Sequence, residues 1–301
     1  METEDRTHVA IVFERVNRAG EPLDTFQLLS AWSWSTEFDL QEEFTDLAEE
    51  LEPFGFGDIS LDKDLQLKCC SGVILGEAPP QAIMSLKGAD VRSNFEKIKN
   101  GIKGSIDFLQ REFKFFSLRT VPYPAMIVSL TRFFASEKIN GISYTSKQRD
   151  TLKKWFWKNC FSRRYSSGIT GVHKQDLLAM DKLREDENYS IADFNCEIDE
   201  GFFRNNQFFI TAVNTKTYIA LLASNDPRSF ISGAPIDLSK VLKNCNKNEF
   251  HHVLRLDAPS FPLEQLRAQL TLAPAHCTID NCGPICNPYN SSPCSNAQKN
   301  T

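Results

Sequence analysis

The chain lacks several things whose presence would have narrowed its function. No apolar run approaches the roughly 20 residues that a membrane-spanning helix needs. The opening METEDRTHVA is acidic and polar, without the basic start and apolar core of a secretory signal. The expected location is therefore cytoplasmic, with no membrane contact and with reduced cysteines. Positive charge is not in excess, since the formal net charge is −5. Any nucleic-acid contact must then be local. There is no G-x-x-x-x-G-K-[ST] phosphate loop, no G-x-G-x-x-G after a strand and no H-E-x-x-H zinc helix. The G-x-S-x-G nucleophile elbow is missing too. These gaps remove P-loop, dinucleotide-binding, zincin and α/β-hydrolase chemistry from the expectations. Strand-like alternation is scarce, and no repeat recurs at a solenoid period.

What is present is core material. The 301 residues are 41% hydrophobic and 24% charged, and 23 are phenylalanine. Apolar spacing predicts helices over 24–34, 39–52, 79–86, 89–115, 147–161 and 171–184, others through LQLKCCSGVIL and NTKTYIALLAS, and a buried one through VPYPAMIVSLTRFFA, which opens on two prolines. Asp24 and Gln27 form a capping box for the first, Pro53, Gly55 and Gly57 end the second, and Asp62 and Ser146 are further candidate caps. Gly101 and Gly104 are expected to weaken the long 89–115 helix. The 39–52 helix is strongly acidic. Near residue 258 the composition turns to Pro, Asn, Ser and Cys without either apolar period, which reads as an irregular tail. Four of the nine cysteines lie in that tail.

Three stretches could carry chemistry. SKQRDTLKKWFWKNCFSRRYSSG, residues 146–168, holds Lys147, Arg149, Lys153, Lys154, Lys158, Arg163 and Arg164 against one acid, Asp150. Lysine and arginine can hold phosphates and aromatic rings can stack on bases. The same pattern fits a solvated basic face with Trp155, Phe156 and Phe161 packed inward, or cations paired with the acidic 39–52 helix. KNEFHHV, residues 247–253, contains His251 and His252, whose side chains would diverge on a strand. One could then hold a metal while the other acts as a base. His276, Cys277, Cys282, Cys286 and Cys294 are zinc-ligand types, but no C-x2-C knuckle accompanies them.

Several segments resemble GmrSD-type restriction endonucleases. VFERVNRAGEPLDTFQLLSAW is similar to the family's F-E-R-x-N-x-x-G-x-x-L segment through Phe13, Glu14, Arg15, Asn17, Gly20 and Leu23. WFWKNCFSRRYSSG resembles the family's helical domain, in which a Trp-rich helix runs into Arg-Tyr-Ser. TYIALLASNDPRSFISGAPIDL followed by NEFHHV resembles the approach to its HNH-like nuclease element. The resemblance implies a type IV-like defence enzyme that cuts modified foreign DNA, with a divalent metal such as Mg²⁺, His251 as metal ligand and His252 as catalytic base. It further implies DNA contact through Lys153, Lys154, Lys158, Arg163 and Arg164. The family's nucleotide-hydrolysing D-G-Q-Q-R motif is absent, so NTP is not expected as a cofactor. After His251-His252-Val253 the chain reads LRLDAPSFPLEQ where the family has Phe-Pro and a later Asn.

The expected fold is mainly α. Residues 1–36 are the tail of a ParB/sulfiredoxin-like domain, 37–235 a helical domain, 236–258 a partial HNH-like (ββα-metal) element and 259–301 an irregular, out-of-frame tail. The expected function is that of a truncated relative, inactive or only DNA-binding. Two alternatives stand beside it. One is an active metal-dependent nuclease completed by Asn281, Asn287 or His276. The other is a non-catalytic helical interaction module that needs a separate N-terminal partner.

Overall fold

The computed structural model describes residues 24–138, 141–198, 202–203, 209, 211–229 and 232–243. Phe13, Glu14, Arg15, Asn17, Gly20, His251, His252 and the terminal cysteines lie outside the described residues.

The described chain is mainly helical, and four of its helices start where a side chain satisfies their first N–H groups. Helix α1 (Thr25–Ser33) opens on the expected capping box. The Asp24 carboxylate accepts from Gln27 N at 2.7 Å, and the Gln27 side chain accepts from Asp24 N at 3.0 Å. Asp39 caps α2 (Leu40–Leu51) by accepting from Gln41 N at 2.8 Å, and Gly55, at φ 83°, turns the chain away after a 3-10 turn. Asp62 caps α3 (Lys63–Leu75) through Leu65 N at 3.0 Å. The short α4 (Pro80–Ser85) and the 26-residue α5 (Gly88–Phe113) follow. Then come α6 (Met126–Phe134), α7 (Ser146–Ser162), α8 (Ile169–Glu185), α9 (Val213–Ala223) and α10 (Leu238–Lys243).

One expectation needs correction. The cap of α7 is Thr145 and not Ser146: Thr145 Oγ1 accepts from Gln148 N, and Gln148 Oε1 accepts from Thr145 N at 2.8 Å. A capping box needs Gln or Glu three residues after the cap, and Arg149 sits three after Ser146. Helix α5 runs through Gly101 and Gly104. A Cβ at Gly101 would lie 2.5 Å from the Thr131 carbonyl oxygen, and one at Gly104 would lie 2.7 Å from Phe134 Cβ. Here glycine is what lets α6 approach α5 so closely.

Helix α6 forms the centre. Met126, Ile127, Val128, Ser129, Leu130, Thr131, Phe133 and Phe134 are all buried, and α3, α5 and α8 pack around them. Such burial on every side is what a helix apolar all round requires. Helix α1, which lies within segment 1–36, packs on α5. Phe26 meets Phe44 in a tilted pair and Phe44 meets Phe95 edge to face, which joins α1, α2 and α5, and Phe113 stacks on Phe156 at 4.0 Å between α5 and α7.

The chain divides into two compact units, Met1–Asp226 and Pro227–Thr301. In the second, Arg228 and Pro235 form an antiparallel bridge ahead of α10. Among the described residues no helix is long and apolar enough to cross a membrane.

Candidate functional site

Helix α7 is divided lengthwise. Its inner face carries Leu152, Trp155, Phe156, Asn159 and Cys160, all buried. Its end is set by Arg163, a left-handed C-cap at φ 55° whose N–H returns to Asn159 O. A 3-10 turn over Arg164–Ser166 then carries Arg164 and Tyr165 back toward the core, and Gly168, at φ 63°, starts α8. On α8 the buried stripe is His173, Asp176, Leu177, Met180 and Leu183, so a carboxylate stands among apolar positions.

That carboxylate gathers the inner face. Trp155 Nε1 donates to Asp176 Oδ2 at 3.1 Å, and Tyr165 Oη donates to the same oxygen at 2.7 Å. Arg164 Nη1 lies 2.7 Å from Oδ1 and 2.8 Å from Oδ2. Arg164 is oriented further by Asn159 Oδ1 at 3.2 Å and Gln175 Oε1 at 2.9 Å. Asn159 Nδ2 donates in turn to Trp155 O at 2.8 Å. Burial, with the Asp176 charge next in size, holds the Tyr165 hydroxyl well above its usual range, so it stays a neutral donor. A buried charge is tolerated only when its lone pairs are met, and Asp176 has three donors. This arrangement locks α7 to α8; its acceptor oxygens are already occupied.

His173 lies beside it. Its Nε2 is 2.9 Å from Ala125 O, and a carbonyl can only accept, so Nε2 carries the proton. Nδ1 is buried without a hydrogen-bond partner among the described residues. Burial pushes the imidazole pKa below its usual value. The thiols of Cys70 and Cys160 are buried and pushed upward, and that of Cys69 is pushed up to about 12, so these three are poor nucleophiles.

The outer side of α7 carries the cations named from the sequence. Lys153 pairs with Glu112 of α5 at 2.9 Å. Lys154 is exposed. Lys158 Nζ donates to Ala192 O at 2.6 Å and to Phe194 O, and lies 4.7 Å over the Phe194 ring. Arg163 lies 5.5 Å over the Phe202 ring, and Arg164 belongs to the inner network. At the start of the helix Lys147 reaches Glu187 at 3.3 Å and Asn188 at 3.2 Å, and Arg149 reaches Asp150 at 3.6 Å. The acidic α2 is answered elsewhere: Glu50 holds Lys99 at 2.9 Å and also Lys103, both on α5. The structure thus separates the named set, with Arg164 drawn inward and Lys153 turned toward α5.

Asp176 was missed in the sequence. Its signal was legible as one acid inside the apolar period of 169–185, opposite a Trp-rich helix. Arg132 was missed as well; its guanidinium holds Asp181 at 2.7 and 2.9 Å and donates to the Gly72 and Val73 carbonyls at the end of α3. Among the described residues no group of three or more His, Cys, Asp or Glu side chains is placed to hold a metal ion. No family model matches the chain, and neither a curated protein nor a solved structure matches it.

Proposed function

We propose that the helical unit is a DNA-contacting scaffold of the GmrSD-type restriction systems, with α7 as its contact element. The observation that carries this reading is the lengthwise division of α7. Its inner face is locked through Asp176, while Lys147, Lys154 and Lys158, at i, i+7 and i+11, share one side of the helix, the first two exposed and Lys158 half-buried. The locked residues Trp155, Asn159, Arg164 and Tyr165 belong to the WFWKNCFSRRYSSG segment that carries the resemblance, which makes that segment the brace of the unit. A rigid basic stripe suits a phosphate backbone, since lysines there release condensed counterions and need no sequence readout. Cutting would need a divalent metal such as Mg²⁺, with His251 as ligand and His252 as base. Both histidines lie outside the described residues.

Fluorescence anisotropy of the full chain with labelled duplex DNA tests the reading. Binding that weakens as salt rises, and weakens further in Lys154→Ala, is expected. Absent or salt-insensitive binding would remove DNA as the partner. Mg²⁺-dependent cleavage that His252→Ala abolishes would replace a scaffold with an active nuclease.

A further inference from the structure

The stripe on α7 is clipped at both ends by one segment of the same chain. Lys147 is held by Glu187 and Asn188, and Lys158 by the carbonyls of Ala192 and Phe194 and by the Phe194 ring. The segment therefore runs parallel to α7. The eleven helical steps from Lys147 to Lys158 rise about 16 Å. The six residues from Asn188 to Phe194 span at most about 20 Å when extended, which bends at Ile191 and Phe194 shorten. Ile191 and Ala192 are buried and anchor the segment, while Asp193 is exposed and Phe194 half-buried beyond them. The Phe194 ring is shared: Arg164 Cζ lies 4.6 Å from its centroid and Lys158 Nζ 4.7 Å. The segment is acidic, with Asp186, Glu187, Asp193 and Glu197.

We propose that residues 186–197 form an acidic clip that competes with DNA for the Lys147–Lys154–Lys158 stripe. Contact with duplex DNA requires Glu187 to release Lys147 and the Lys158 ammonium to swing off the Ala192 and Phe194 carbonyls, while the buried Ile191 and Ala192 stay seated. The inference rests on the DNA-contacting reading above. Release lowers no core contact at Asp176, because Arg164 keeps its carboxylate when Phe194 lifts.

The test is the salt dependence of duplex-DNA binding by the full chain, measured for the parent and for Glu187→Gln/Phe194→Ala. The variant frees Lys147 and removes the ring from Lys158 while leaving its carbonyl partners, so the log–log salt slope should steepen by about 1 to 2 and binding should tighten several-fold at low salt. Adding Lys147→Ala and Lys158→Ala to the released chain should return both values to those of the parent. Because Phe194→Ala also removes apolar packing, Glu187→Gln/Asn188→Ala serves as a second release that leaves Phe194 in place. It should steepen the slope by about 1. If the parent binds DNA and neither released variant binds more tightly or more steeply, the clip is overturned and the DNA reading stands. If no variant binds DNA, both fall together.

Discussion

The α5–α6 seam and the α7–α8 junction are equally dry but are held by opposite means. At the seam, backbone meets side chain where Gly101 faces Thr131 and Gly104 faces Phe134, and the polar groups present are absorbed locally, as Ser105 Oγ is by Gly101 O at 2.8 Å. Shape decides there, and added atoms do the damage. At the junction a carboxylate 2% exposed is surrounded by indole, guanidinium and phenol donors. Charge and hydrogen bonding decide there, and removed atoms do the damage. One domain can thus carry a region tolerant of polarity changes but not of volume, beside a region of the reverse kind.

The largest expected effect is at the junction. Asp176→Ala leaves the Arg164 guanidinium, the Tyr165 hydroxyl and the Trp155 N–H without their shared acceptor, and urea unfolding should show a loss of about 3–5 kcal/mol. Asp176→Asn should cost less, because one acceptor oxygen survives. Equal losses for Ala and Asn would mean that the negative charge alone matters.

The seam is next. Gly101→Ala should destabilise by about 1–3 kcal/mol through overpacking. Gly171→Ala in α8, where nothing lies within 4 Å of the added Cβ, should instead stabilise by up to about 1 kcal/mol through helix propensity. Thermal melts that move both variants in the same direction would show that packing does not distinguish the two sites.

A smaller effect separates the junction by pH. Burial lowers the folded pKa of His173 from the ordinary 6.5, so the unfolded chain takes up the proton first. The contribution of neutral His173 is present above pH 6.5 and is lost as pH falls from there toward the folded pKa. Besides burial, the Ala125 carbonyl, Lys68, Asp176 and Asp64 act on the imidazole, in that order. His173→Gln, which keeps a donor for Ala125 O, should flatten the pH dependence of the denaturation midpoint over that window. An unchanged slope would assign it to other groups.

The smallest effect is on the surface. Glu50→Gln loosens the pairs to Lys99 and Lys103, whose partner is 44% exposed, and should change stability by less than about 1 kcal/mol, with the difference vanishing at high salt.

The same contrast explains what could be read in advance. Helices α1 and α3 were legible with their caps because Asp24 and Asp62 act on N–H groups three residues away, whereas the Asp39 cap of α2 went unread among its acidic neighbours. Even the displaced cap of α7 is a local matter, since Gln148 selects Thr145 over Ser146. The burial of α6 followed from an apolar run without a polar face. The division of the basic segment was not legible. Lys154, Lys158 and Arg164 are alike as letters, yet one is solvent-facing, one is clipped by Ala192 and Phe194, and one is buried against Asp176.

Sequence by itself determined where α1 and α3 start, because an orphan N–H at those helix ends is met by a side chain within one turn. It also determined which faces are apolar, because 3.6-residue spacing puts them on one side. Only the tertiary structure decided which cations are consumed and which face outward. A charge is attracted by whatever the folded chain brings within a few ångströms, and for Arg164 and Lys158 those partners lie 12 to 36 residues along the chain.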